Sequence, residues 1–256
     1  MIKAFFRELI PMRFYRLIRI LFKRLDFVSG PFTYNEDGFA TWDQSADFMT
    51  DGKFLNAYKV GKKTGSWIRY SEIHWRAYIV CWAANHTSHL EGDFVECGVN
   101  RGGYARAILE YVGPNLNGKR FWLLDTFEGI PGEQISKEEA GFGRKAGGYS
   151  ECFEAVNATF KPFSNVQIVR GRVPETLSQV QSEKVCYLSI DMNITEPEIA
   201  AAEFFWDKLV SGAIIVLDDY NFAWHLPQRR AFDEFAVKHG VKVLALPTGQ
   251  GLIFKR

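Results

Sequence analysis

The chain has 256 residues, 47% of them hydrophobic, enough to bury one substantial core with room for an N-terminal accessory segment. Its formal net charge of +1 gives no global attraction to nucleic acid or to an acidic partner. The four cysteines, Cys81, Cys97, Cys152 and Cys186, have no CxxC spacing and lie in apolar or strand contexts. They are expected as reduced core residues of a cytoplasmic protein, not as a disulfide framework or a zinc site. No uninterrupted apolar run is long enough to span a bilayer, and no secretory signal is evident.

Residues 1–26 are basic. From Pro11 onward, helical spacing gathers Phe14, Leu17, Ile18, Leu21, Phe22 and Leu25 on one face and Arg13, Arg16, Arg19, Lys23 and Arg24 on the other. Two readings follow for residues 11–26. One is a helix lying peripherally on a membrane surface; the other is a helix docking on its own domain or on the partner in a homodimer. Residues 27–65 are rich in Gly, Asp and Thr with scattered aromatics (Phe39, Trp42, Phe48, Phe54, Tyr58), which predicts a lid of short helices and loops. Over 66–90, helix-compatible spacing of Trp67, Ile68, Ile73, Ala77, Tyr78, Cys81 and Trp82 extends this into a helical cap, 27–90.

Beyond Gly92 the chain alternates regularly. Strands are expected over 94–98, 120–125, 166–170, 186–191, 213–218, 241–246 and 252–255, with helices over 102–111, 150–160, 174–181, 196–210 and 227–239. Most of the strands are continuous apolar runs, the pattern of strands buried on both faces. The last two are joined by 247–251, short enough for a hairpin. The fold class is therefore α/β: residues 91–256 form a doubly wound, Rossmann-like sheet of seven strands closed by an antiparallel hairpin strand.

Ligands of such sheets sit outside the carboxyl ends of the strands. The first strand ends at Glu96 and turns through Gly98, Asn100, Arg101, Gly102 and Gly103 into a helix. Glycines let backbone approach a ligand, and a helix start offers unpaired N–H groups. A carboxylate at Glu96 would repel a pyrophosphate and attract a cationic ligand. Asp125 ends the second strand, where a carboxylate can accept the hydroxyls of a ribose. Thr126 and Phe127 follow it and would line the adenine or the mouth of the site. Gly171 and Arg172, after the third strand, either flank the adenine or form a plain surface turn. Asp191, Asp218 and Asp219 end adjacent strands with no positive residue beside them in the sequence. Converging carboxylates of this kind suit a hard divalent cation, Mg²⁺ above others, which would hold an acceptor's hydroxyls and lower a hydroxyl pKa. His225, in the next loop, is either a base, a substrate contact or neither.

Together, GDFVECGVNRGG, FWLLDTFEGIP, SIDMN and GAIIVLDDYNF resemble the class I S-adenosylmethionine-dependent methyltransferases of the macrocin O-methyltransferase type, over roughly residues 66–256. The resemblance implies Mg²⁺-dependent methylation of a hydroxyl on a sugar or other small-molecule acceptor. It also implies that residues 96–103 cradle the methionine part of S-adenosylmethionine, Asp125 its ribose, and that Asp191, Asp218 and Asp219 hold the metal, with Asp191 the candidate base. One departure stands out. The family's Asp-x-Asp-Leu-Tyr is here Asp191-Met192-Asn193-Ile194-Thr195, so substrate contacts and helix packing must differ at Asn193 and Thr195. Two competing readings are a non-catalytic S-adenosylmethionine-binding protein on the same scaffold and an NAD-linked oxidoreductase. The second needs G-x-G-x-x-G, which the spacing of Gly98, Gly102 and Gly103 misses.

Overall fold

The continuous apolar runs become the buried strands of a seven-stranded sheet in the computed structural model, which describes residues 32–41, 44–67 and 71–256. The chain divides into two units, Met1–Asp47 and Phe48–Arg256. The basic amphipathic stretch, residues 11–26, lies outside the described residues. The first unit contributes a small hairpin, β1 (Tyr34–Glu36) and β2 (Phe39–Thr41). Its two-residue turn, Asp37-Gly38, takes positive φ at both positions (56° and 71°), as a tight hairpin turn matched to strand twist requires.

The second unit opens with α1 (Gly52–Lys62), whose first turn is capped by the Asp51 carboxylate accepting from Lys53 N–H at 2.8 Å. It continues through α2 (His74–Thr87), β3 (Asp93–Cys97), α3 (Gly103–Val112), β4 (Phe121–Asp125), α4 (Lys137–Gly141), α5 (Phe153–Phe160) and β5 (Val166–Arg170). Then come β6 (Val185–Ile190), α6 (Thr195–Trp206), β7 (Leu209–Leu217), α7 (Leu226–Lys238), β8 (Leu244–Ala245) and β9 (Gly251–Phe254). The sheet order is β5-β4-β3-β6-β7-β9-β8. The first five strands are parallel and β9 runs antiparallel to both β7 and β8, as the doubly wound reading expected.

Alternation along the strands sorts the core into two layers. Val95, Cys97, Trp122, Leu124, Leu188, Ile190, Ile215 and Leu217 pack with Ala201, Ala202 and Phe205 of α6 and Phe232 and Phe235 of α7. On the other face α2 packs on β6 and β7 and against α3, which is also covered by α1. All four cysteines are buried and unpaired, as expected.

Three expected elements come out differently. The helix over 66–90 is confined to His74–Thr87, because residues 64–67 are spent elsewhere. The Ser66 hydroxyl accepts the Gly103 N–H at 2.9 Å, and Trp67 stacks on Tyr58 with ring centroids 4.6 Å apart. The helix over 174–181 is a single 3₁₀ turn at Leu177–Gln179. Val173, Leu177 and Val180 are all buried by short turns, so their helix-like spacing is satisfied without a full helix. The strand over 241–246 shortens to two residues, and Val243 instead packs against the core.

Strand order reverses between β3 and β6, which opens a crevice beyond their carboxyl ends. Gly98 is what lets these ends approach: at φ 90°, a Cβ there would fall 1.8 Å from the Asp191 carbonyl oxygen. Gly98→Ala is therefore expected to cost ~3 kcal/mol or more, combining a backbone clash with positive-φ strain. Urea unfolding of the variant measures it, and a loss below ~1 kcal/mol would contradict the packing described.

Candidate functional site

The crevice is built on the last residues of β3, β4, β6 and β7. Glu96, one residue from the end of β3, is buried, and its Oε2 has no hydrogen-bond partner among the described residues. Burial first, then the Asp125 and Asp218 carboxylates, push its carboxyl well above the ordinary range. A buried orphan oxygen of this kind fits a cationic group brought by a ligand, since its cost falls once it is paired.

Asp125, at the end of β4, is occupied by the chain itself. Its Oδ2 accepts the Val99 and Asn100 N–H groups at 2.6 and 2.7 Å, and its Oδ1 accepts the Phe127 N–H at 2.7 Å and the Thr126 hydroxyl at 3.3 Å. The carboxylate thus sets the shape of the turn after β3. Asn100 and Phe127 both take positive φ (49° and 58°) to reach it. The Phe127 ring is buried and packs on Phe153 at 5.5 Å, and Arg101 is half-buried in the turn.

The glycines have packing reasons that the sequence did not suggest. A Cβ on Gly102 would meet the Phe160 ring at 2.5 Å, and one on Gly103 would meet Trp67 and Ser66 at 2.6 and 2.8 Å. Further along the rim, Gly171 (φ 142°) closes on Thr176, while Arg172 turns outward to ion pairs with Glu133 and with Glu175 (3.4 Å).

The three aspartates do converge. One oxygen from each of Asp191, Asp218 and Asp219 lies within 4.8 Å of the others. Desolvation and mutual repulsion push the Asp191 and Asp219 carboxyls well above their ordinary range. The expectation of a cluster without a cation beside it is corrected by the fold. Arg76, on α2 and 142 residues distant in sequence, donates to Asp218 Oδ2 at 2.9 Å. Tyr104 OH and Gln250 Nε2 donate to Asp218 Oδ1 at 3.1 and 3.0 Å, so Asp218 has three partners among the described residues. Asp191 and Asp219 are less committed. Among the described residues, Asp191 Oδ1 accepts only the Asn193 amide at 3.2 Å, and Asp219 Oδ2 lies 3.4 Å from His225 Nδ1 without hydrogen-bond alignment. Oxygen donors of one sign, one of them buried and unpartnered, fit a divalent cation.

His225 is buried among fixed partners. Gln228 donates its amide N–H to Glu198 Oε1 at 2.9 Å, which leaves its oxygen facing His225 Nδ1. That assigns the proton to Nδ1 and makes Nε2 the acceptor for Arg144. Burial and the Arg144 charge lower the imidazole pKa to about 4, so the ring is neutral with both nitrogens engaged.

Residues 126–152 supply what the sequence reading missed. Ile130 and Gly147 exchange two backbone hydrogen bonds (2.9 and 2.8 Å), closing a loop that carries Arg144 and Tyr149 to the rim. Arg144 Nη1 and Tyr149 OH both donate to Asn193 Oδ1 at 3.4 Å. Within the same loop, Glu139 completes a capping box with Ser136 and accepts the Thr195 N–H and hydroxyl at 2.6 and 2.8 Å. Asn193 and Thr195, the two departures from the family motif, are thus the residues on which this loop docks. The glycine density of GFGRKAGGYS was the available signal for such a loop. Nothing local marked Arg76, Tyr104 or Gln250.

A model of the macrocin O-methyltransferase (TylF) family matches residues 77–245. A curated relative from Streptomyces olivaceus, 8-demethyl-8-(2,3-dimethoxy-alpha-L-rhamnosyl)-tetracenomycin-C 4'-O-methyltransferase, is 28% identical over 144 residues. That match covers 51% of this chain and 54% of the relative, so the chain spans about half the length of the curated relative it matches. Among solved structures, the O-methyltransferase NovP is similar at a TM-score of 0.59 with 22% identity, covering 70% of this chain and 79% of that one. CalS11, a calicheamicin methyltransferase, has a TM-score of 0.57 with 15% identity, covering 84% and 98%. An O-methyltransferase from Bacillus cereus in complex with SAH has a TM-score of 0.51 with 13% identity, covering 80% and 91%. These likenesses to solved structures show a shared Rossmann-like methyltransferase fold.

Two outcomes follow from the buried charges. Arg76→Met leaves Asp218 buried without its cation and is expected to cost about 3–5 kcal/mol in chemical denaturation. Burial raises the Glu198 carboxyl from 4.5 to about 7, against the hydrogen bonds it accepts from Gln228, Met192 and Asn193. The folded state therefore holds this proton more tightly than the unfolded chain does. The associated stability is fully present below pH 4.5 and is lost as pH rises through 7. Between pH 5 and pH 8, wild type should lose about 2–3 kcal/mol relative to Glu198→Gln. A stability difference that stays flat across that range would remove Glu198 as its source.

Proposed function

Because the chain belongs to the macrocin O-methyltransferase family, we propose that it transfers a methyl group from S-adenosylmethionine to a hydroxyl of a sugar-like small molecule, with Mg²⁺ at the acidic cluster. The observation that carries this reading is Glu96: a buried carboxyl at the reversal of strand order whose Oε2 meets no donor among the described residues. A cationic donor satisfies it, whereas the pyrophosphate of NAD would be repelled. The sugar-like acceptor is supported by the name of the S. olivaceus relative, which acts on a rhamnosyl group.

In this reading the turn 98–103 holds the methionine part of the donor, with Glu96 beneath its α-ammonium group, which S-adenosylhomocysteine retains, and Arg101 available to its carboxylate. Asp125 acts first on the protein, fixing the Val99 and Asn100 amides so that the turn is preformed. A ribose would add to that arrangement. S-adenosylmethionine supplies an electrophilic methyl carbon, and Mg²⁺, held by Asp191, Asp219 and the remaining acceptor capacity of Asp218, supplies Lewis acidity toward the acceptor hydroxyl.

The chain's own residues do the rest. Asp191 takes the hydroxyl proton on its carboxylate. Arg76, Tyr104 and Gln250 hold Asp218 still. Residues 126–152 shield the reacting atoms from water. Alignment of donor and acceptor then supplies much of the rate. His225 acts as a fixed wall in this scheme, since its Nε2 already accepts from Arg144.

Calorimetry with S-adenosylhomocysteine and with NAD is the test. Wild type should bind S-adenosylhomocysteine and not NAD, and Glu96→Gln should weaken binding about tenfold or more, the loss of one charge-assisted hydrogen bond. Mg²⁺ titrated into the donor-loaded protein should bind wild type and fail to bind Asp219→Asn. Binding of NAD in preference would overturn the donor assignment, and unchanged Mg²⁺ binding in Asp219→Asn would overturn the metal assignment.

A further inference from the structure

We infer that the methyl acceptor carries an anionic group, a carboxylate or a phosphate ester, and that Arg144 recognises it. The inference rests on the methyltransferase reading and names the substrate class of that same site.

Arg144 is delivered to the rim by fixed backbone. Its N–H donates to the Glu139 carbonyl at 3.0 Å, the Ile130–Gly147 bridge closes the loop, and Glu139 is itself locked to Ser136 and Thr195. The half-buried guanidinium meets the His225 ring and the Asn193 Oδ1. Neither partner carries negative charge, and two partners leave part of a five-donor fork unused. Among the described residues no carboxylate lies within ion-pair distance of Arg144. Arg76, Arg170, Arg172 and Arg230 are different: each is paired with an aspartate or a glutamate.

Charge counting sharpens the point. Arg76 answers one of the three clustered aspartates, and a divalent cation would answer the other two. The Arg144 charge otherwise acts on Asp219 from beyond ion-pair distance, and a cation bound there would release it toward a ligand. An anion on the acceptor balances it, and a guanidinium matches the paired oxygens of a carboxylate or phosphate in shape.

The departure at position 193 fits the same account. An aspartate there would pair with Arg144 inside the protein and quench it. Asn193 accepts the hydrogen bond and leaves the charge in place. Beside it lies an exposed ring suited to a sugar face: Tyr149, whose hydroxyl shares the Asn193 oxygen.

The experiment compares glucose 1-phosphate and glucuronic acid with glucose by calorimetry, on protein loaded with S-adenosylhomocysteine and Mg²⁺ and on protein without either. Wild type should prefer the anionic probes by tenfold or more. Arg144→Gln and Asn193→Asp should lose that preference, while Arg144→Lys retains part of it and controls for folding of the loop. Wild type with no preference, whether all probes bind or none does, overturns the inference, as does a preference that survives in Arg144→Gln. Failure to bind S-adenosylhomocysteine would instead sink the methyltransferase reading, and the probe titrations on unloaded protein would still decide the role of Arg144.

Discussion

The Asp218 carboxylate, buried just beyond the end of β7, is the interaction on which the architecture of the site depends. Burying an ionised carboxylate costs several kcal/mol unless its oxygens are paired. Arg76 from α2, Tyr104 from α3 and Gln250 from the turn before β9 supply that pairing. One side chain therefore ties two helices and the antiparallel hairpin to the carboxyl end of the sheet. The geometry also has a chemical result. Two neighbouring carboxylates, Asp191 and Asp219, are left beside an anchored one and not beside a mobile one, so three acidic oxygens are held at close spacing.

A second layer of organisation lies in how the chain uses carboxylates to position backbone. Asp125 gathers four donors from the turns after β3 and β4. Glu139 joins α4 to the start of α6, and Glu198 accepts the Met192 and Asn193 N–H groups at 3.0 and 2.9 Å. In each case an acidic side chain fixes loop amides that regular structure leaves without partners. Positive φ at Asn100, Phe127 and Asn193 is the local strain these anchors hold in place. The rim is thus preformed by its own polar network.

The loop 126–152 shows how a departure from the family motif is matched by the segment that packs on it. Its two docking points, Asn193 and Thr195, are the positions at which the chain departs from the family motif. The substitutions and the loop belong together: Thr195 offers a hydroxyl and an N–H to Glu139, and Asn193 offers an oxygen to both Arg144 and Tyr149. Asp191, the first aspartate of the motif, is unchanged, so the departures fall on the residues that meet the loop.

Much of this was legible in the residues alone. Buried parallel strands announce themselves as apolar runs, and a doubly wound sheet follows from their alternation with helices, while the order β5-β4-β3-β6-β7 came only from the structure. The strand-end acids Glu96, Asp125, Asp191, Asp218 and Asp219 could be read directly, because the topology of such a sheet brings its strand ends to one rim. What satisfies those acids was not legible. Arg76 comes from 142 residues away, and Ser66, which caps α3, from 37 residues before Gly103. The glycines looked like places for a ligand and proved in part to be places for Phe160, Trp67 and the Asp191 carbonyl. Local sequence determines which backbone a segment can adopt and which side chains face a rim, because those depend on near neighbours and on period. Pairing of buried charge depends on which distant segment arrives within 3 Å, and only the packed tertiary structure decides that.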